Sequence, residues 1–289
     1  MSSDQITGQD LPQGVGLTSL IMAQARTAES ARPDRLFDDP FAAAFVADAG
    51  PAFPAASGQI ANLLRLRGPF VALRTRFFDD YLQEAADAGC RQVVLLAAGL
   101  DARAFRLPWP EGAALYELDL PEVLAFKERA LARRGARPAC LRFPVPVDLA
   151  DDWPAALVQA GFTAGEPAAW LAEGLLMYLA EEQRDLLLDR IGNLSAPGSR
   201  LAFDQRGGRQ DGGREVKSES DEQAAALGVR IPGAQLDPSI ADIAGWLERH
   251  GWRPRVYDAG EGYAFYGRRA PALQPGEAIQ GWLATARRA

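Results

Sequence analysis

The sequence predicts an α/β protein built around a mostly parallel sheet. Residues 92–98 form a short, continuous apolar run with β-branched residues near its start, which is typical of a strand buried on both faces. Further strand-like runs follow at intervals, and helical patterns lie between them. Because strands that alternate with helices form βαβ units, the sheet is expected to be mostly parallel.

The individual elements are predicted from local patterns. Residues 15–29 are predicted to be helical, and Asp39 followed by Pro40 marks a second helix start, with aspartate as N-cap and proline in the first turn. Residues 70–88 form a long amphipathic pattern that Gly89 ends. The remaining core predictions are strands at 92–98, 114–119, 141–147, 168–172 and 200–203, and helices at 121–134, 153–160 and 181–194. The third strand contains two prolines, which indicates a place near an edge.

The last third of the chain has a different composition. Residues 205–223 are polar and contain two Gly-Gly pairs, so we predict an inserted loop or lid, followed by a helix at 238–250. Residues 256–257 and 263–266 flank a glycine-bearing turn, which predicts a hairpin and an antiparallel last strand. The expected organisation is one domain over 1–289, divided into an N-terminal helical cap (1–88), a cofactor-binding core (89–204), a lid and helix (205–250) and a C-terminal hairpin and helix (251–289).

Composition excludes several classes of function. The net charge of −7 argues against a nucleic-acid or membrane-surface partner, since either would require a basic face. Two cysteines and one histidine are too few for a Cys/His zinc site or a disulfide framework, and they suit a reducing cytoplasm. No signal-peptide pattern precedes the first helix, and no apolar run approaches the roughly 20 residues of a membrane span. We therefore expect a cytoplasmic protein that acts on a small molecule.

The loop after the first strand carries the strongest functional signal. In a doubly wound sheet, ligands bind at the carboxyl ends of the strands, where Gly99 would let a ligand approach the backbone. Asp119 ends the next strand, 20 residues later, and an acidic residue at that spacing accepts hydrogen bonds from ribose hydroxyls. Each residue has a structural alternative, since Gly99 could be a turn glycine and Asp119 a helix cap before Pro121. Their combination after a buried strand favours a nucleoside site.

The chemistry of this loop favours S-adenosylmethionine over a nicotinamide dinucleotide. A dinucleotide loop needs three glycines, the second of which lets the backbone approach the pyrophosphate, whereas this loop has one. Asp101 would also repel a pyrophosphate, but it would attract the ammonium and sulfonium groups of S-adenosylmethionine. Asp101 could equally be a helix N-cap.

Further candidates lie at neighbouring strand ends. Asp148 could accept a hydrogen bond from an adenine amino group while Leu149 packs on the ring, although Asp148 could instead cap the helix at 153–160. Glu173 follows the fourth strand, so its carboxylate would face the same crevice and could hold an ammonium group. Arg74 and Arg76 lie on the long helix, where either could pair with a carboxylate or simply belong to an exposed face.

These residues together resemble the leucine carboxyl methyltransferase family, and more closely its bacterial branch of S-adenosylmethionine-dependent methyltransferases. The resemblance covers roughly residues 15–205 and is carried by the segments 32–41, 74–79, 92–108, 117–121, 147–149 and 170–179. It implies a Rossmann-like class I fold, with a seven-stranded sheet, extra N-terminal helices and a cap after the fifth strand. It also implies that Arg74 meets the cofactor carboxylate, that Gly99 and Glu173 lie beside the methionine part, that Asp119 binds the ribose, and that Asp148 and Leu149 lie at the adenine. The candidate cofactor-binding set is Arg74, Arg76, Ala97, Gly99, Asp101, Asp119, Leu120, Asp148, Leu149 and Glu173.

The predicted reaction is methylation of an oxygen atom of a small molecule. A carboxylate acceptor is already ionised near neutral pH and needs no base, and the only histidine, His250, is predicted to end a helix. For a hydroxyl acceptor, the candidate bases are Tyr178, Glu173 and Asp204. The alternatives are a non-catalytic S-adenosylmethionine-binding protein and, less favoured, a nicotinamide-dependent oxidoreductase. The sequence after Asp204 does not identify the acceptor.

Overall fold

A computed structural model describes residues 15–50, 53, 57–206, 209–211, 214–216, 242–270 and 281–289. The helices within them are α1 (Val15–Ser30), α2 (Ala42–Ala49), α3 (Gly58–Asp87), α4 (Arg103–Arg106), α5 (Pro121–Arg133), α6 (Trp153–Gln159), α7 (Glu181–Leu194), α8 (Ile243–Arg249) and α9 (Ala259–Phe265). The strands are β1 (Gln92–Leu96), β2 (Ala114–Asp119), β3 (Leu141–Pro146), β4 (Ala168–Ala172), β5 (Arg200–Arg206), β6 (Arg209–Asp211), β7 (Arg214–Val216), β8 (Trp252–Asp258) and β9 (Gly281–Arg288). None of the helices in these ranges has the length and apolar character of a membrane span.

The main sheet has seven strands in the order β3-β2-β1-β4-β5-β9-β8. Strands β1 to β5 are parallel, whereas β9 runs antiparallel to both β5 and β8. All five residues of β1 are buried, because this strand lies in the middle of the sheet with helices on both faces. The predicted α/β class, the mostly parallel seven-stranded sheet and the antiparallel last strand are therefore confirmed, and the proline-containing β3 lies at an edge.

Side-chain alternation along the strands decides which carboxylates can meet. Val93 and Leu95 of β1 pack on the α3 side of the sheet, and Val94 and Leu96 pack on the opposite side. On β5, Ala202 belongs to the α3 side, so Asp204, two residues further, points to that side as well. The sheet thus directs the carboxylate at the end of β5 toward α3.

The N-terminal helices form a third apolar cluster over the loop that follows β1. Leu20 of α1, Phe45 of α2 and Ile60 of α3 pack there with Leu100 and Phe126. A polar contact also fixes α1 to this loop. Arg26 donates hydrogen bonds to Asp39 at 2.8 Å and to the carbonyl oxygen of Leu100 at 2.7 Å.

Helix α3 is longer than the predicted 70–88. Ser57 caps its start by accepting a hydrogen bond from the backbone N–H of Ile60 at 3.3 Å, and the helix continues through Pro69. A proline in a helix interior removes one backbone hydrogen bond. Burial of Ile60 and Leu63 against the N-terminal helices stabilises the extra turns.

The predicted hairpin over 256–266 is wrong. Asp258 accepts a hydrogen bond from the backbone N–H of Glu261 at 2.8 Å, and the Glu261 carboxylate accepts from the N–H of Asp258 at 3.1 Å. This reciprocal capping box begins α9 where a turn was expected, so 263–266 is not a strand. The antiparallel partner of β8 is instead β9, and the described end of the chain is a strand where a helix was expected.

The predicted lid is described only in part. Residues 205 and 206 belong to β5, and β6 and β7 pair as a separate two-stranded antiparallel sheet. The rest of the predicted lid, and residues 238–241 of the predicted helix at 238–250, lie outside the described residues. The described part of that helix is α8.

Candidate active site

The loop after β1 and the end of β2 form one side of the candidate site. Ala97 and Gly99 have φ angles of 53° and 50°, in the left-handed region that an alanine rarely adopts. The backbone N–H of Gly99 donates to Asp119 at 2.5 Å, and that of Leu120 donates to the other oxygen of the same carboxylate at 2.7 Å. The strand-end aspartate therefore holds the loop directly.

Asp119 keeps the capacity to bind a further donor. Each of its oxygens accepts one backbone hydrogen bond and retains another lone pair. Burial raises the pKa of Asp119, although the N–H groups of Gly99 and Leu120 and the nearby Lys127 act in the opposite direction. A pair of neighbouring hydroxyl groups would add donors that stabilise the ionised form.

Arg74 lies at the centre of the opposite side, where it is 7% exposed. Its Nε donates to Glu173 Oε1 and its Nη1 to Asp204 Oδ2, each at 3.0 Å, while its Nη2 meets the Met22 sulfur at 3.4 Å. Burial lowers the pKa of Arg74, but Asp204, Glu173 and, more weakly, Tyr178 outweigh it and raise the pKa. Because a thioether is a weak acceptor, Nη2 is the nitrogen of Arg74 that could donate hydrogen bonds to the carboxylate of a ligand.

The turn after β4 is shaped so that Arg74 can reach these carboxylates. Gly174 has a φ of 67°, and a Cβ atom at this position would lie 3.1 Å from Arg74 Nη1. Its backbone N–H donates to Asp204 Oδ1 at 2.5 Å, so both oxygens of this fully buried carboxylate are engaged. Burial raises the pKa of Asp204, partly offset by Arg74.

A second buried arginine, Arg103, was not predicted as a site residue. Its Nε donates to Asp79 at 2.7 Å, its Nη1 to Glu173 Oε2 at 2.7 Å and to Asp101, and its Nη2 to the carbonyl oxygen of Thr75 at 3.2 Å. Burial raises the pKa of Glu173, but Arg103 and Arg74 outweigh it, so the pKa is lowered. Asp101 and Arg103 follow the apolar strand directly, but Asp79 and Glu173, the other carboxylates that bind Arg103, lie 24 and 70 residues away in the sequence.

Asp101 has a role inside the protein. It accepts a hydrogen bond from the backbone N–H of Arg103 at 2.6 Å and pairs with the Arg103 guanidinium. Burial raises the pKa of Asp101, but Arg103, Lys127 and Arg106 outweigh it and lower the pKa to about 2.

We expect Asp101→Asn to lower the free energy of unfolding by about 2 kcal/mol at pH 7, in the absence of any ligand. Because the pKa is depressed in the folded state, this contribution is complete above the unfolded-state pKa and is lost as pH falls toward the folded value. About half should remain at pH 3. Urea unfolding at the two pH values measures it, with Asp148→Asn, an exposed carboxylate, as control. A difference that does not depend on pH would contradict the assignment.

Asp148 and Leu149 lie at the same edge of the sheet. The backbone N–H of Val147 donates to the carbonyl oxygen of Asp119 at 2.9 Å, which places the end of β3 beside that residue. Asp148 is exposed and accepts from the N–H of Ala150 at 2.9 Å, and Leu149 is half-buried. The alternative role, capping of α6, belongs to Asp152, whose side chain accepts from Ala155 N.

The structure does not bring Arg76 to this site. Residues two apart on a helix face different directions, and Arg76 donates to Asp80 and to the carbonyl oxygen of Leu36, each at 3.0 Å. Tyr178 lies in a short 3₁₀ turn after β4, half-buried and near Arg74. His250 ends α8 as predicted, and its Nδ1 lies 2.9 Å from a carboxylate oxygen of Asp189 on α7.

Comparison with known proteins identifies the family. The family described as leucine carboxyl methyltransferase matches residues 19–192. A relative from Parafrankia sp. (strain EAN1pec) is 46% identical over 282 residues, which cover 96% of this chain and 88% of the relative. Another, from Mycolicibacterium paratuberculosis (strain ATCC BAA-968 / K-10), is 43% identical over 287 residues, which cover 93% of this chain and 89% of the relative. Both are provisionally named as S-adenosyl-L-methionine-dependent methyltransferases.

Two solved structures share the fold. A DUF574 family protein from Streptomyces avermitilis MA-4680 has a TM-score of 0.55 at 17% identity, over 90% of this chain and 98% of that one. A protein from Thermobifida fusca YX, provisionally described as a methyltransferase, has a TM-score of 0.52 at 16% identity, over 93% and 94%. At this identity the likeness concerns the fold alone, whereas the sequence relatives cover almost the whole chain. The chain therefore belongs to the leucine carboxyl methyltransferase family, in its bacterial branch of S-adenosyl-L-methionine-dependent methyltransferases.

Proposed function

We propose that this methyltransferase transfers the methyl group of S-adenosyl-L-methionine to an oxygen of a small molecule, and that a carboxylate is the preferred acceptor. One observation carries the preference: the acidic candidate bases at the crevice are held by arginine. Glu173 pairs with Arg74 and Arg103, and Asp204 pairs with Arg74. The only histidine of the chain, His250, is engaged with acidic residues of α7. A carboxylate acceptor needs no proton removed near neutral pH.

The proposed cofactor site follows the carboxyl ends of four strands. Arg74 Nη2 would bind the cofactor carboxylate, and Glu173 its ammonium group. Asp119, beside Leu120, would accept hydrogen bonds from the ribose hydroxyls, with the adenine near Asp148 and Leu149. Asp101 would act through Arg103. Arg76 is not part of this proposal, because its contacts lie elsewhere.

The backbone at this edge suits such a ligand. Ala97, Gly99 and Gly174 all have positive φ angles, so the chain turns away sharply after β1 and β4. Gly99 and Gly174 carry no side chain, and a Cβ atom there would lie 3.3 Å from the Cβ of Ser19 or 3.1 Å from Arg74 Nη1, so the two glycines allow α1 and Arg74 to lie close to the proposed methionine end. The left-handed alanine is strained, and strain of this kind is concentrated at functional sites.

The residues around the crevice bind the cofactor and orient it for methyl transfer. S-adenosyl-L-methionine supplies a methyl group on positively charged sulfur, which an oxygen nucleophile attacks in line. Alignment of this kind contributes roughly 7–11 kcal/mol to such a step. Glu173 and Arg74 would fix the methionine end, and Asp119 the ribose. Asp204 would hold Arg74 and the turn at Gly174.

A hydroxyl acceptor is the second candidate, and Tyr178 is the observation that favours it. This half-buried tyrosine lies close enough to Arg74 to influence its pKa. Its phenolic oxygen could accept a hydrogen bond from an acceptor hydroxyl group and orient that group for methyl transfer.

Methyl-labelled S-adenosyl-L-methionine and a panel of small carboxylic acids and phenols test the proposal. An ester releases labelled methanol in mild alkali, whereas an ether does not, so the stability of the product separates the two acceptor classes. Alkali-labile label supports carboxyl methylation, and alkali-stable label on a phenol supports the second candidate. Label on nitrogen or carbon would overturn both. Binding of the cofactor without transfer to any compound would favour a non-catalytic role.

We expect kcat/KM for a carboxylate acceptor to be nearly constant between pH 6 and pH 8, because the acceptor is fully ionised above its pKa of about 4. For a phenol without a base, the rate should rise about tenfold per pH unit toward the phenol pKa of about 10. Initial rates with the labelled cofactor measure the profile. A tenfold rise per pH unit with a carboxylate would contradict the mechanism.

We also propose a reducing, cytoplasmic setting for a small-molecule acceptor. Cys90 and Cys140 are both free thiols, and Cys90 is buried. Burial raises the pKa of both thiols, which makes them poor nucleophiles and suits a structural role.

A further inference from the structure

A buried ionic cluster lies beneath the proposed methionine end of the cofactor. It contains three arginines and four carboxylates, contributed by α3, by the loop after β1, by α4 and by the ends of β4 and β5. Its members are Arg74, Asp79, Asp101, Arg103, Arg106, Glu173 and Asp204. We infer that Arg103 is a positioning residue of the cofactor site. It orients the Glu173 carboxylate that binds the cofactor ammonium group, and it does not contact the cofactor itself. This inference rests on the site proposed above.

The contacts of Arg103 show that it acts through other residues. Its side chain is 2% exposed, and each of its three nitrogens already has an oxygen partner. Arg74 differs, since its Nη2 meets a thioether. Arg74 can therefore offer a donor to a ligand, whereas Arg103 holds its neighbours.

Glu173 is the residue that Arg103 orients. Its Oε1 accepts from Arg74 at 3.0 Å and its Oε2 accepts from Arg103 at 2.7 Å, so the two arginines fix the plane of the carboxylate. The side chain remains 16% exposed, compared with 0% for Asp204. Each Glu173 oxygen keeps lone pairs for a further donor, so an ammonium group can bind with the carboxylate already oriented.

Asp79 holds Arg103 from the far side. Asp79 accepts from Arg103 Nε at 2.7 Å and from both Nη atoms of Arg106 at 2.6 Å. It lies on α3, five positions after Arg74, and is 5% exposed. Removing its charge would weaken the hydrogen bond that fixes Arg103 Nε, and an arginine that moves would release Glu173.

This arrangement predicts a defect confined to the methionine end of the ligand. S-adenosylhomocysteine carries the ammonium and carboxylate groups, whereas methylthioadenosine has the same nucleoside without them. We expect Arg103→Lys to weaken S-adenosylhomocysteine binding roughly 10- to 100-fold, the value of one charge-assisted hydrogen bond. Methylthioadenosine binding should change less than about twofold, because Asp119 still holds the ribose.

Two adjacent aspartates on α3 provide a matched pair of variants, one inside the cluster and one outside it. Asp79→Asn weakens the support of Arg103, whereas Asp80→Asn alters a carboxylate that pairs with Arg76 and Tyr266 away from the cluster. We expect Asp79→Asn to lower S-adenosylhomocysteine affinity severalfold and Asp80→Asn to leave it unchanged. Calorimetry on the full chain measures both ligands, and circular dichroism checks the fold. If Arg103→Lys fails to fold, Asp79→Asn carries the test.

The outcomes separate this inference from the proposed reaction. Equal losses for the two ligands would assign Arg103 a purely structural role and overturn the inference, as would unchanged S-adenosylhomocysteine binding in Arg103→Lys and Asp79→Asn. If the wild-type chain binds neither ligand, the cofactor site itself is wrong and the inference with it. Because calorimetry needs no acceptor, failure to methylate carboxylates or phenols does not change its result.

Discussion

Asp119→Ala should lower the affinity for S-adenosylhomocysteine by roughly 100-fold, which corresponds to about 3 kcal/mol. The expected loss has two sources. The ribose hydroxyls lose an ionised acceptor, and the N–H of Gly99 loses the carboxylate that holds it at 2.5 Å. Calorimetry measures the change. Glu122→Ala, an exposed acid in the first turn of α5, is the control and should bind normally.

The pH dependence of binding sharpens this prediction. Burial raises the pKa of Asp119, so the wild-type carboxylate becomes protonated at a higher pH than an exposed aspartate. The affinity should therefore be complete near neutral pH and should fall as pH decreases through that raised value. Asp119→Asn, which cannot titrate, should bind more weakly at pH 7 and show a smaller decrease in acid. Equal affinity of the alanine variant and the wild type would remove the ribose assignment.

Arg74→Met should abolish measurable cofactor binding and lower the free energy of unfolding by about 3–5 kcal/mol. Methionine fills much of the same space but leaves Glu173 and Asp204 without their shared cation, and Asp204 is completely buried. Leaving a buried charge unpaired costs far more than losing an exposed ion pair. Denaturant unfolding and calorimetry measure the two effects separately.

A double variant separates the stability effect from the binding effect. Arg74→Met combined with Asp204→Asn removes the most buried unpaired charge, so part of the lost stability should return. Cofactor binding should not return, because Nη2 remains absent. Recovery of both properties together would show that Arg74 serves the fold alone, and normal binding by Arg74→Met would reject its role at the cofactor carboxylate.

The sequence predicted the sheet well because its central strands are determined by local pattern. The apolar run at β1 is short and contains β-branched residues, which favours a strand buried on both faces, and parallel strands bring their carboxyl ends to one edge. Asp119 and Glu173 could therefore be assigned to a common crevice before the structure was known. The C-terminal region was harder, because a glycine-rich turn and a short capped helix contain similar residues. The Asp258 and Glu261 spacing was the available signal for the helix.

The ionic cluster could not be predicted from local pattern. Asp79 and Arg103 are 24 residues apart, and Arg103 and Glu173 are 70 apart, so only the packing of α3 against the sheet brings them together. Helix geometry could have excluded Arg76, because residues two apart on a helix cannot both face the same crevice. Arg74 was supported mainly by the family resemblance.

The position of α1 has a consequence for the proposed cofactor site. Met22 lies against Arg74, and the Cβ of Ser19 is 3.3 Å from where a Cβ of Gly99 would be, so α1 covers the proposed methionine end of the crevice. In the proposed site, α1 would therefore border the methionine end of the ligand. The hydrogen bond from Arg26 to the Leu100 carbonyl, at 2.7 Å, holds α1 against the loop that follows β1, so the first helix and the proposed cofactor loop are joined as one wall.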